Sequence, residues 1–424
     1  MRDIRVRNVT ERIVKNLADI DYYKLTMLQF IHYFYPDTVV KFQFQVRSKI
    51  DLTRYIDLDE LKRQLERMTY ARFPKWCIRA LKRRQNKHNP IFRDNFLDWL
   101  ETLRLSMPNV YINEHGQIEV SVTGTWMHVM LWETITMCIV NRLYKLARMR
   151  ELGLNEKDVL AEGMRLTKAK LARLDEQHIS FIDFSTRRRH SYEHQVAIIK
   201  EAMATTYCCS GTSNVLIGLS YGYKLSGTMA HELPMAFQAI FWNEDEQRDR
   251  LVSQKILWRM WETFYEGRLT IALTDTYGND FGLQDFEEFA FRWDGSRHDS
   301  GDPFKYGEDV IAFYERMGID PKKKILVFSD GLTVEMMIYL WNRFHNRIIV
   351  AFGWGTHFGN DMGCGLEPIS IVMKLIAVLI NGSWIHTGKI TDNRAKATGP
   401  TATVDRLIEK TGGDRSCEEI ACVV

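Results

Sequence analysis

Two stretches in the first third of the chain alternate between apolar and polar side chains. Between residues 38 and 46, Phe42, Phe44 and Val46 fall on one face, and lysine and glutamine side chains fall on the other. Residues 118–122 repeat this alternation, with a glutamate and a serine pointing outward. The pattern predicts half-buried strands of an antiparallel sheet. Helical patterns accompany these strands over residues 59–71 and 126–150.

After about residue 150 the pattern changes to short apolar runs, each followed by a polar or glycine-bearing segment and usually by a helical pattern. Alternating strands and helices predict a parallel sheet with helical crossovers. Functional residues at the carboxyl ends of successive strands are typical of a barrel-type active site, which is the interpretation that we favour. A doubly wound open sheet is the alternative, because it also binds ligands at the carboxyl ends of its strands. The apolar runs lie at residues 179–184, 269–273, 324–328 and 348–352.

The most apolar segment, residues 369–380, is about a dozen residues long and contains Lys374. A membrane-spanning helix needs ~20 apolar residues, so we expect a buried helix here. The first residues are charged and no apolar stretch follows them, which argues against a secretory signal. The seven cysteines form no CxxC pair, so neither a disulfide framework nor a zinc site is expected. These features together predict a cytoplasmic protein.

The charge of the chain is nearly balanced, with 57 basic residues, 54 acidic residues and a net charge of +3. This balance argues against nucleic acid or a membrane as the partner. Two basic runs, at residues 82–84 and 187–189, keep a nucleic-acid-binding protein as an alternative, although no recognition motif accompanies them.

The second basic run directly follows an apolar strand, in the segment DFSTRRR at residues 183–189. Guanidinium groups at a strand end match the geometry of carboxylate and phosphate groups. This position therefore favours an anion-binding role, and a solvated basic surface is the alternative.

A single histidine, His231, follows a loop of small residues in the segment GTMAHE at residues 227–232. The continuation HELPM lacks the second histidine of a HExxH zinc helix, so metal ligation is not expected. A histidine oriented by a carboxylate is suited to act as a base or a nucleophile. Both Glu232 and Asp275 are candidates for that carboxylate, and the sequence does not choose between them.

Further polar segments follow other predicted strands. RHDSGDP, at residues 297–303, has two acidic residues three positions apart around Ser-Gly, which predicts a tight loop that binds a ribose diol or Mg²⁺. A surface turn is the alternative for such a composition. FGWGT, at residues 352–356, has glycines that expose backbone N–H groups to a phosphate.

In their order along the chain, these segments resemble the motifs of nicotinate phosphoribosyltransferases. The resemblance extends from residue 19 to about residue 400, nearly the whole chain. At its start, DYYKLTM at residues 21–27 is similar to the family's DxYKxTM opening. The other matching segments are DFSTRRR, GTSNV, GTMAHE, ALTDTY, RHDSGDP, FSDG and FGWGT.

The resemblance implies an α/β fold, with the irregular, incomplete α/β barrel of type II phosphoribosyltransferases and an N-terminal α+β domain completed by the C-terminal segment. We accordingly place the N-terminal domain at residues 1–145 and the barrel at residues 146–368. Residues 369–424 form the C-terminal segment that packs with the N-terminal domain. The resemblance also implies a homodimer with shared active sites, in which Tyr23 stacks on the pyridine ring bound by the partner subunit.

The resemblance also implies roles for individual residues. His231 matches the histidine that ATP phosphorylates, and Glu232 lies beside it. The residues that match positions around the ribose and the base are Asp275, Arg297 and Asp299. The residues expected to bind the pyridine ring and its carboxylate are Tyr23, Phe184, Arg187, Thr212 and Ser213. The residues expected to bind phosphate groups are Gly331, Gly353, Gly355, Thr356 and Lys396.

Ser213 indicates which pyridine the protein uses. In the related nicotinamide-using enzymes an aspartate follows Gly-Thr at this point, and an aspartate would repel a carboxylate to which serine can donate. The sequence therefore favours nicotinate over nicotinamide. Two features depart from the family's pattern: Ser185 stands where glycine is usual, and residues 357–359 continue the GxGT loop in an unusual way.

The implied reaction, a step of NAD salvage, joins nicotinate to phosphoribosyl pyrophosphate and releases pyrophosphate. The reaction requires alignment of the ring with the ribose and a Mg²⁺ ion on the leaving diphosphate. The sequence does not identify the protein ligands of this Mg²⁺. ATP enters separately, because phosphorylated His231 would favour the state that binds phosphoribosyl pyrophosphate tightly. The nearest rivals are nicotinamide and quinolinate phosphoribosyltransferases. Quinolinate enzymes lack the phosphorylated histidine, so GTMAHE argues against them.

Overall fold

The computed structural model describes residues 3–84, 90–392 and 396–412. Within these residues, no helix is long and apolar enough to cross a membrane. Up to residue 221 the elements are α1 (Tyr22–Phe34), β1 (Val39–Val46), α2 (Leu58–Thr69), α3 (Lys75–Arg84), α4 (Asp94–Thr102), β2 (Asn109–Ile112), β3 (Ile118–Thr125), α5 (Trp126–Val129), α6 (Trp132–Leu152), α7 (Glu156–Glu176), β4 (Phe181–Asp183), α8 (Tyr192–Thr205), β5 (Cys209–Thr212) and α9 (Val215–Tyr221). The later elements are α10 (Glu232–Ile240), α11 (Trp242–Glu246), α12 (Ser253–Phe264), β6 (Ile271–Leu273), α13 (Asn279–Phe286), β7 (Gly295–His298), α14 (Pro303–Arg316), β8 (Ile325–Phe328), α15 (Val334–Phe344), β9 (Ile349–Trp354), α16 (Thr356–Gly359), β10 (Ile371–Ile380), β11 (Ser383–His386) and α17 (Thr401–Thr411).

The described residues form two compact units. Residues 3–84, 90–227 and 354–374 make up the first unit, and residues 228–353, 375–392 and 396–412 make up the second. The domain boundaries expected from the sequence are a different division of the chain and stay a prediction.

The first unit contains the antiparallel strands predicted from the alternating pattern. β1 pairs with β3, and β3 pairs with β2, so the strand order is β1-β3-β2. Phe42 and Phe44 are buried as expected. Ser121, expected to point outward, is buried as well.

Each unit also contains parallel strands, which confirms the predicted mixed α/β class. In the first unit β4 pairs with β5, with Asp183 opposite Thr212. In the second unit the order is β9-β8-β7-β6, with Ile325 of β8 between Gly295 and Ile349. Because neighbouring strands run in one direction, the segments that follow them emerge at the same edge of the sheet.

The expected buried helix over residues 369–380 is wrong, because these residues form strand β10. In the second unit β10 pairs with β11 in antiparallel fashion, with Ala377 opposite His386. The run IVMKLIAVLI is rich in β-branched side chains, which favour a strand. A strand covered on both faces reads as a continuous apolar run, so periodicity alone does not distinguish it from a short buried helix.

Candidate active-site residues

Three ionisable side chains of the second unit converge on His231, which lies directly before α10. The Nε2 atom of His231 is 2.7 Å from Oδ1 of Asp275 and 2.9 Å from Nζ of Lys389. Its Nδ1 atom is 3.5 Å from Oδ2 of Asp299. Asp275 and Asp299 follow β6 and β7, whereas Lys389 follows β11. The sheet topology therefore brings together the histidine and the two acids that the motifs predicted.

The imidazole of His231 is neutral at physiological pH. Burial and the nearby Lys389 ammonium lower the pKa of His231 to about 4, although the Asp275 carboxylate opposes them. A neutral ring carries one N–H, and the nearest charged acceptor determines which nitrogen holds it. We assign this proton to Nε2, facing Asp275, which leaves the lone pair on Nδ1. Nζ of Lys389 can only donate, so with this tautomer it donates to Oδ2 of Asp275 and not to the ring. Of Asp275 and Glu232, Asp275 is the acid that orients the ring.

Asp275 is fully buried and ionised. Besides His231, the hydroxyl of Ser300 donates to its Oδ2 at 2.7 Å, and Nζ of Lys389 lies 3.4 Å from the same oxygen. Burial alone would raise the pKa of Asp275, but the hydrogen bond from His231 and the positive charge of Lys389 outweigh burial and hold this pKa well below its usual range. The neighbouring donors and positive charge therefore stabilise the carboxylate where water cannot.

Asp299 is more accessible than Asp275, with 28% of its side chain exposed. The hydroxyl of Ser329 donates to its Oδ1 at 3.0 Å, and a guanidinium nitrogen of Arg297 lies 3.7 Å from its Oδ2. Desolvation opposes ionisation, but the charge of Arg297 outweighs it and lowers the pKa of Asp299. Nε of Arg297 is buried and has no hydrogen-bond partner among the described residues, so it retains a donor for an anionic ligand.

Lys396 lies next to Asp299, whereas Asp302 has a structural role. Lys396 forms an ion pair with Asp330, and its Nζ lies 3.4 Å from the backbone oxygen of Asp299. Asp302, expected to bind ribose or Mg²⁺ together with Asp299, instead caps α14 and accepts the N–H of Phe304 at 2.8 Å. An Asp-Pro pair at a helix start is common turn chemistry, and here it accounts for Asp302. Gly331 follows β8 with φ +54°.

The predicted pyridine-binding residues lie in the first unit, around the start of α1. Tyr23 lies in the first turn of this helix, and Cζ of Arg187 is 5.5 Å from the centroid of the Tyr23 ring. The backbone N–H of Tyr22 donates to the oxygen of Ser213 at 2.6 Å. Phe184 follows β4 and donates its N–H to the oxygen of Trp354 at 2.8 Å. Tyr23 thus lies beside Arg187 of its own chain, and its stacking on a pyridine ring bound by the partner subunit stays a prediction.

Charges around Arg187 are dense. Its guanidinium lies 3.1 Å from Glu133 and 3.5 Å from Asp21, and Glu133 is also 2.6 Å from Nζ of the fully buried Lys24. Burial raises the pKa of Asp21, although Arg187 opposes it. For Glu133, burial is outweighed by Lys24, Lys374 and Arg187, and its pKa is lowered. The cationic side chains here are Lys24, Lys374 and Arg187. Of the two acids beside them, Glu133 is ionised, whereas the raised pKa of Asp21 makes its ionisation less favourable. The excess of positive charge favours an anionic ligand.

Ser213 and Thr212 make internal hydrogen bonds instead of presenting free hydroxyls. Ser213 donates to Oδ1 of Asp21 at 2.7 Å, and Thr212 donates to Oδ2 of Asp183 at 2.7 Å. Both residues are buried. The expectation that Ser213 donates to the substrate carboxylate is therefore not met in this arrangement, because its proton is committed to Asp21. The ligand roles of both residues stay predictions.

A buried polar network, which no sequence motif indicated, lies beside the predicted pyridine-binding residues in the first unit. Arg189, the last arginine of the run, forms two 2.6 Å contacts with Asp19. Asp19 also accepts from Asn214 at 2.8 Å, and Gln195 connects Arg189 to Asp183. The alternative of a solvated basic surface is thus wrong for Arg189, which is 2% exposed. An aspartate two positions before the DYYKLTM segment was the only sequence signal for this pair.

We expect Asp19→Ala to lower the free energy of unfolding by about 3–5 kcal/mol, because it leaves the Arg189 charge buried without its partner. Chemical denaturation measures this change. Arg165→Ala, which removes an exposed pair with Glu162, is the matched control and should change stability by less than about 0.5 kcal/mol. Equal effects of the two substitutions would contradict the assignment of Asp19 and Arg189 as a structural ion pair.

The two departures from the family's pattern compensate each other. A Cβ atom on Gly359 would lie 2.3 Å from Cβ of Ser185, so the serine side chain occupies the space that a side chain at residue 359 would need. The Ser185 hydroxyl donates to Asp183 at 2.5 Å. Gly353 lies in β9, and Gly355 and Thr356 form the turn into α16. Their binding of phosphate stays a prediction.

Comparison with known proteins places these residues in one family. The model of the nicotinate phosphoribosyltransferase (NAPRTase) family matches residues 179–411, and the model of the NAPRTase N-terminal domain matches residues 18–141. The chain is 37% identical to the nicotinate phosphoribosyltransferase of Ectopseudomonas mendocina (strain ymp) over 393 residues, which are 91% of this chain and 93% of that protein. It is 35% identical to the enzyme of the same name from Vibrio parahaemolyticus serotype O3:K6 (strain RIMD 2210633) over 406 residues, 92% of this chain and 89% of that protein.

A solved structure agrees with this placement. The chain is similar to the crystal structure of nicotinate phosphoribosyltransferase from Porphyromonas gingivalis, with a TM-score of 0.84 and 27% sequence identity. The similarity covers 94% of this chain and 100% of the other. The predicted fold class is therefore confirmed.

Proposed function

The chain belongs to the nicotinate phosphoribosyltransferase family, and we propose that it joins nicotinate to phosphoribosyl pyrophosphate in the cytoplasm, coupled to ATP hydrolysis through phosphorylated His231. The observation that carries the ATP coupling is the environment of His231: a neutral imidazole, oriented by an ionised Asp275, beside Lys389. An imidazole in this state is a nucleophile that needs no prior deprotonation.

The phosphorylation step uses the lone pair on Nδ1 of His231. This nitrogen attacks the γ-phosphorus of ATP, a nitrogen–phosphorus bond forms, and the bond to the leaving ADP oxygen breaks. The Nε2 proton stays in its hydrogen bond with Asp275, which stabilises the positive charge that the ring acquires. Hydrolysis returns the ring to its neutral state, so ATP shifts the enzyme between two states and no atom of the phosphoryl group enters the mononucleotide.

Asp299 alone is a better ligand for Mg²⁺ than the combined group of His231, Asp275 and Asp299. The ligand atoms of His231, Asp275 and Asp299 lie within 4.8 Å of one another. Asp275 is already bonded to His231 and Ser300, however, and the Lys389 ammonium would repel a cation there. Mg²⁺ prefers one or two carboxylates together with substrate phosphates. We propose that Asp299 holds the ion, which would neutralise the leaving diphosphate.

We assign the nicotinate carboxylate to Arg187. One third of this side chain is exposed, and a guanidinium can bind a carboxylate with two parallel hydrogen bonds. The Tyr23 ring beside it supplies an aromatic surface for the pyridine. Nicotinamide lacks the negative charge and gains less from the same residues.

Arg187→Gln is expected to raise KM for nicotinate about 10- to 100-fold, because a hydrogen bond between charged groups is worth about 1.5–3 kcal/mol. KM for nicotinamide should change much less. Steady-state assays of both pyridines measure the ratio, with Arg188→Gln as the neighbouring control. A parallel loss for both pyridines would reject Arg187 as the carboxylate-binding residue.

The direct test of the activity supplies nicotinate, nicotinamide and quinolinate separately with phosphoribosyl pyrophosphate and Mg²⁺. Mononucleotide formation is measured with and without ATP. We expect nicotinate to be preferred and ATP to stimulate the reaction. Preference for another pyridine would refute the proposed substrate, whereas a rate that does not respond to ATP would refute only the coupling.

A further inference from the structure

Asp392 lies three residues after Lys389. Its two carboxylate oxygens accept the backbone N–H of Asn279 at 3.1 and 3.2 Å, and its Oδ2 also accepts from Nδ2 of Asn279 at 2.5 Å. We propose that Asp392 is a positioning residue that fixes residues 387–392 so that Lys389 reaches His231. The inference rests on the proposed function, because it assigns Lys389 to the phosphohistidine chemistry.

The partner of Asp392 belongs to the segment that carries Asp275. Asn279 is the first residue of α13, and Asp275 begins the turn that precedes this helix. The first N–H groups of a helix have no partner within the helix, and a carboxylate interacts favourably with them. Asn279 is itself held in place, because its Oδ1 accepts the hydroxyl of Thr274 at 2.6 Å. Asp392 therefore connects residues 387–392, which carry Lys389, to the segment that carries Asp275.

The backbone between Lys389 and Asp392 is strained. Thr391 has φ +59°, in the left-handed region that β-branched residues rarely adopt. Such a conformation persists only where surrounding contacts enforce it. On one side, Ile390 donates its N–H to the oxygen of Thr276 at 3.0 Å, and on the other side Asp392 binds Asn279.

Asp392 also packs closely against the loop that contains Asp299 and Gly301. A Cβ atom on Gly301, which has φ +83°, would lie 3.0 Å from Cβ of Asp392. Residue 301 lies two positions after Asp299, so the loop that carries Asp299 also packs against Asp392. If Asp392 loses its carboxylate, we expect Thr391 to relax to negative φ and Lys389 to withdraw from His231.

The first measurement does not depend on activity. Lys389 is buried in the native protein, so an amine-acylating reagent should modify it slowly, and peptide mass spectrometry reports the rate. Asp392→Ala should raise this rate by at least about tenfold, because local release exposes the amine. Lys324, similarly buried and bonded to the oxygen of Trp293 at 2.7 Å, is the internal reference and should not change.

The second measurement is the rate at which the phosphoenzyme forms from ATP. Asp392→Ala should slow it on the order of 10- to 100-fold, as expected for a misplaced neighbouring charge. The same substitution should have no further effect in the Lys389→Met background, because Asp392 acts through that lysine. Asp280→Ala removes an exposed acid one residue from Asn279 and is the matched control, expected to behave as wild type.

Three results would overturn the inference: an unchanged acylation rate of Lys389, a parallel rise for Lys389 and Lys324, or multiplicative effects in the double variant. Asn279→Ala removes one donor from the same contact and replaces Asp392→Ala if that variant does not fold. The two proposals fail in different ways. Wild-type protein that forms no phosphoenzyme would refute the phosphohistidine, and the acylation rates would still decide the role of Asp392.

Discussion

His231→Asn is expected to abolish the acid-labile phosphoenzyme and the stimulation of transfer by ATP, while slow ATP-independent transfer persists. The amide of asparagine has no nucleophilic nitrogen, so the phosphoryl acceptor is lost. It can still donate a hydrogen bond to Asp275, so the buried carboxylate keeps a partner. Incubation with ATP labelled in the γ-phosphate, followed by separate acid and alkaline quenches, measures the phosphoenzyme.

The control for this substitution is His345→Asn, which replaces an exposed histidine of the same unit and should retain full labelling. Digestion of the labelled wild-type protein identifies the phosphorylated nitrogen. The tautomer set by Asp275 predicts phosphate on Nδ1 of His231. Labelling that survives in His231→Asn would refute the phosphohistidine, and phosphate on Nε2 would show that Asp275 releases the ring before the transfer.

Tyr23→Ala and Arg187→Ala are each expected to reduce activity to near background, and mixing the two chains should not restore it. The Tyr23 ring lies 5.5 Å from the Arg187 guanidinium of its own chain. Every site in a mixed assembly would then carry one of the two lesions. The shared-site arrangement implied by the family resemblance, in which Tyr23 serves the partner subunit, predicts the opposite result.

Co-expression of the two variants with different affinity tags, followed by purification through both tags, isolates mixed assemblies if the protein associates. Under the shared-site arrangement one site of a mixed dimer would be intact, and random pairing would restore about a quarter of the wild-type sites. Recovery near that level would contradict the same-chain pairing. Activity no higher than that of the parents, measured on confirmed mixed assemblies, would support it.

The proximity of Asp275 and Asp299 was predictable because it follows from local signals and one rule of topology. Each acid follows a short apolar run, and neighbouring parallel strands deliver their carboxyl ends to one edge. The strands themselves were visible as apolar runs bounded by polar segments. The type and order of these strands were therefore accessible before any tertiary contact was known, whereas the apolar run at residues 369–380 did not distinguish a strand from a helix.

Other features depend on contacts that no local pattern encodes. Lys389 reaches His231 across 158 residues of chain, and its segment has no periodicity that would indicate this position. Asp302 has the same chemistry as Asp299, but a following proline and a helix start make it a cap. Ser213 was interpreted through its contrast with the aspartate that related enzymes have at this position, and its hydrogen-bond partner, Asp21, lies 192 positions away. Side-chain pairing at long range decides such roles.

The contact between Ser185 and Gly359 limits the order in which these two positions can change during evolution. With Cβ atoms only 2.3 Å apart, a side chain at 359 cannot coexist with the present serine unless the backbone shifts. A lineage that exchanges the two residues must therefore pass through a form with glycine at both positions, which leaves a small void and frees Asp183 from one donor. The opposite order, in which residue 359 gains a side chain while Ser185 is still present, produces a steric clash. The pair is thus expected to vary together among relatives, with the loss of one side chain always preceding the gain of the other.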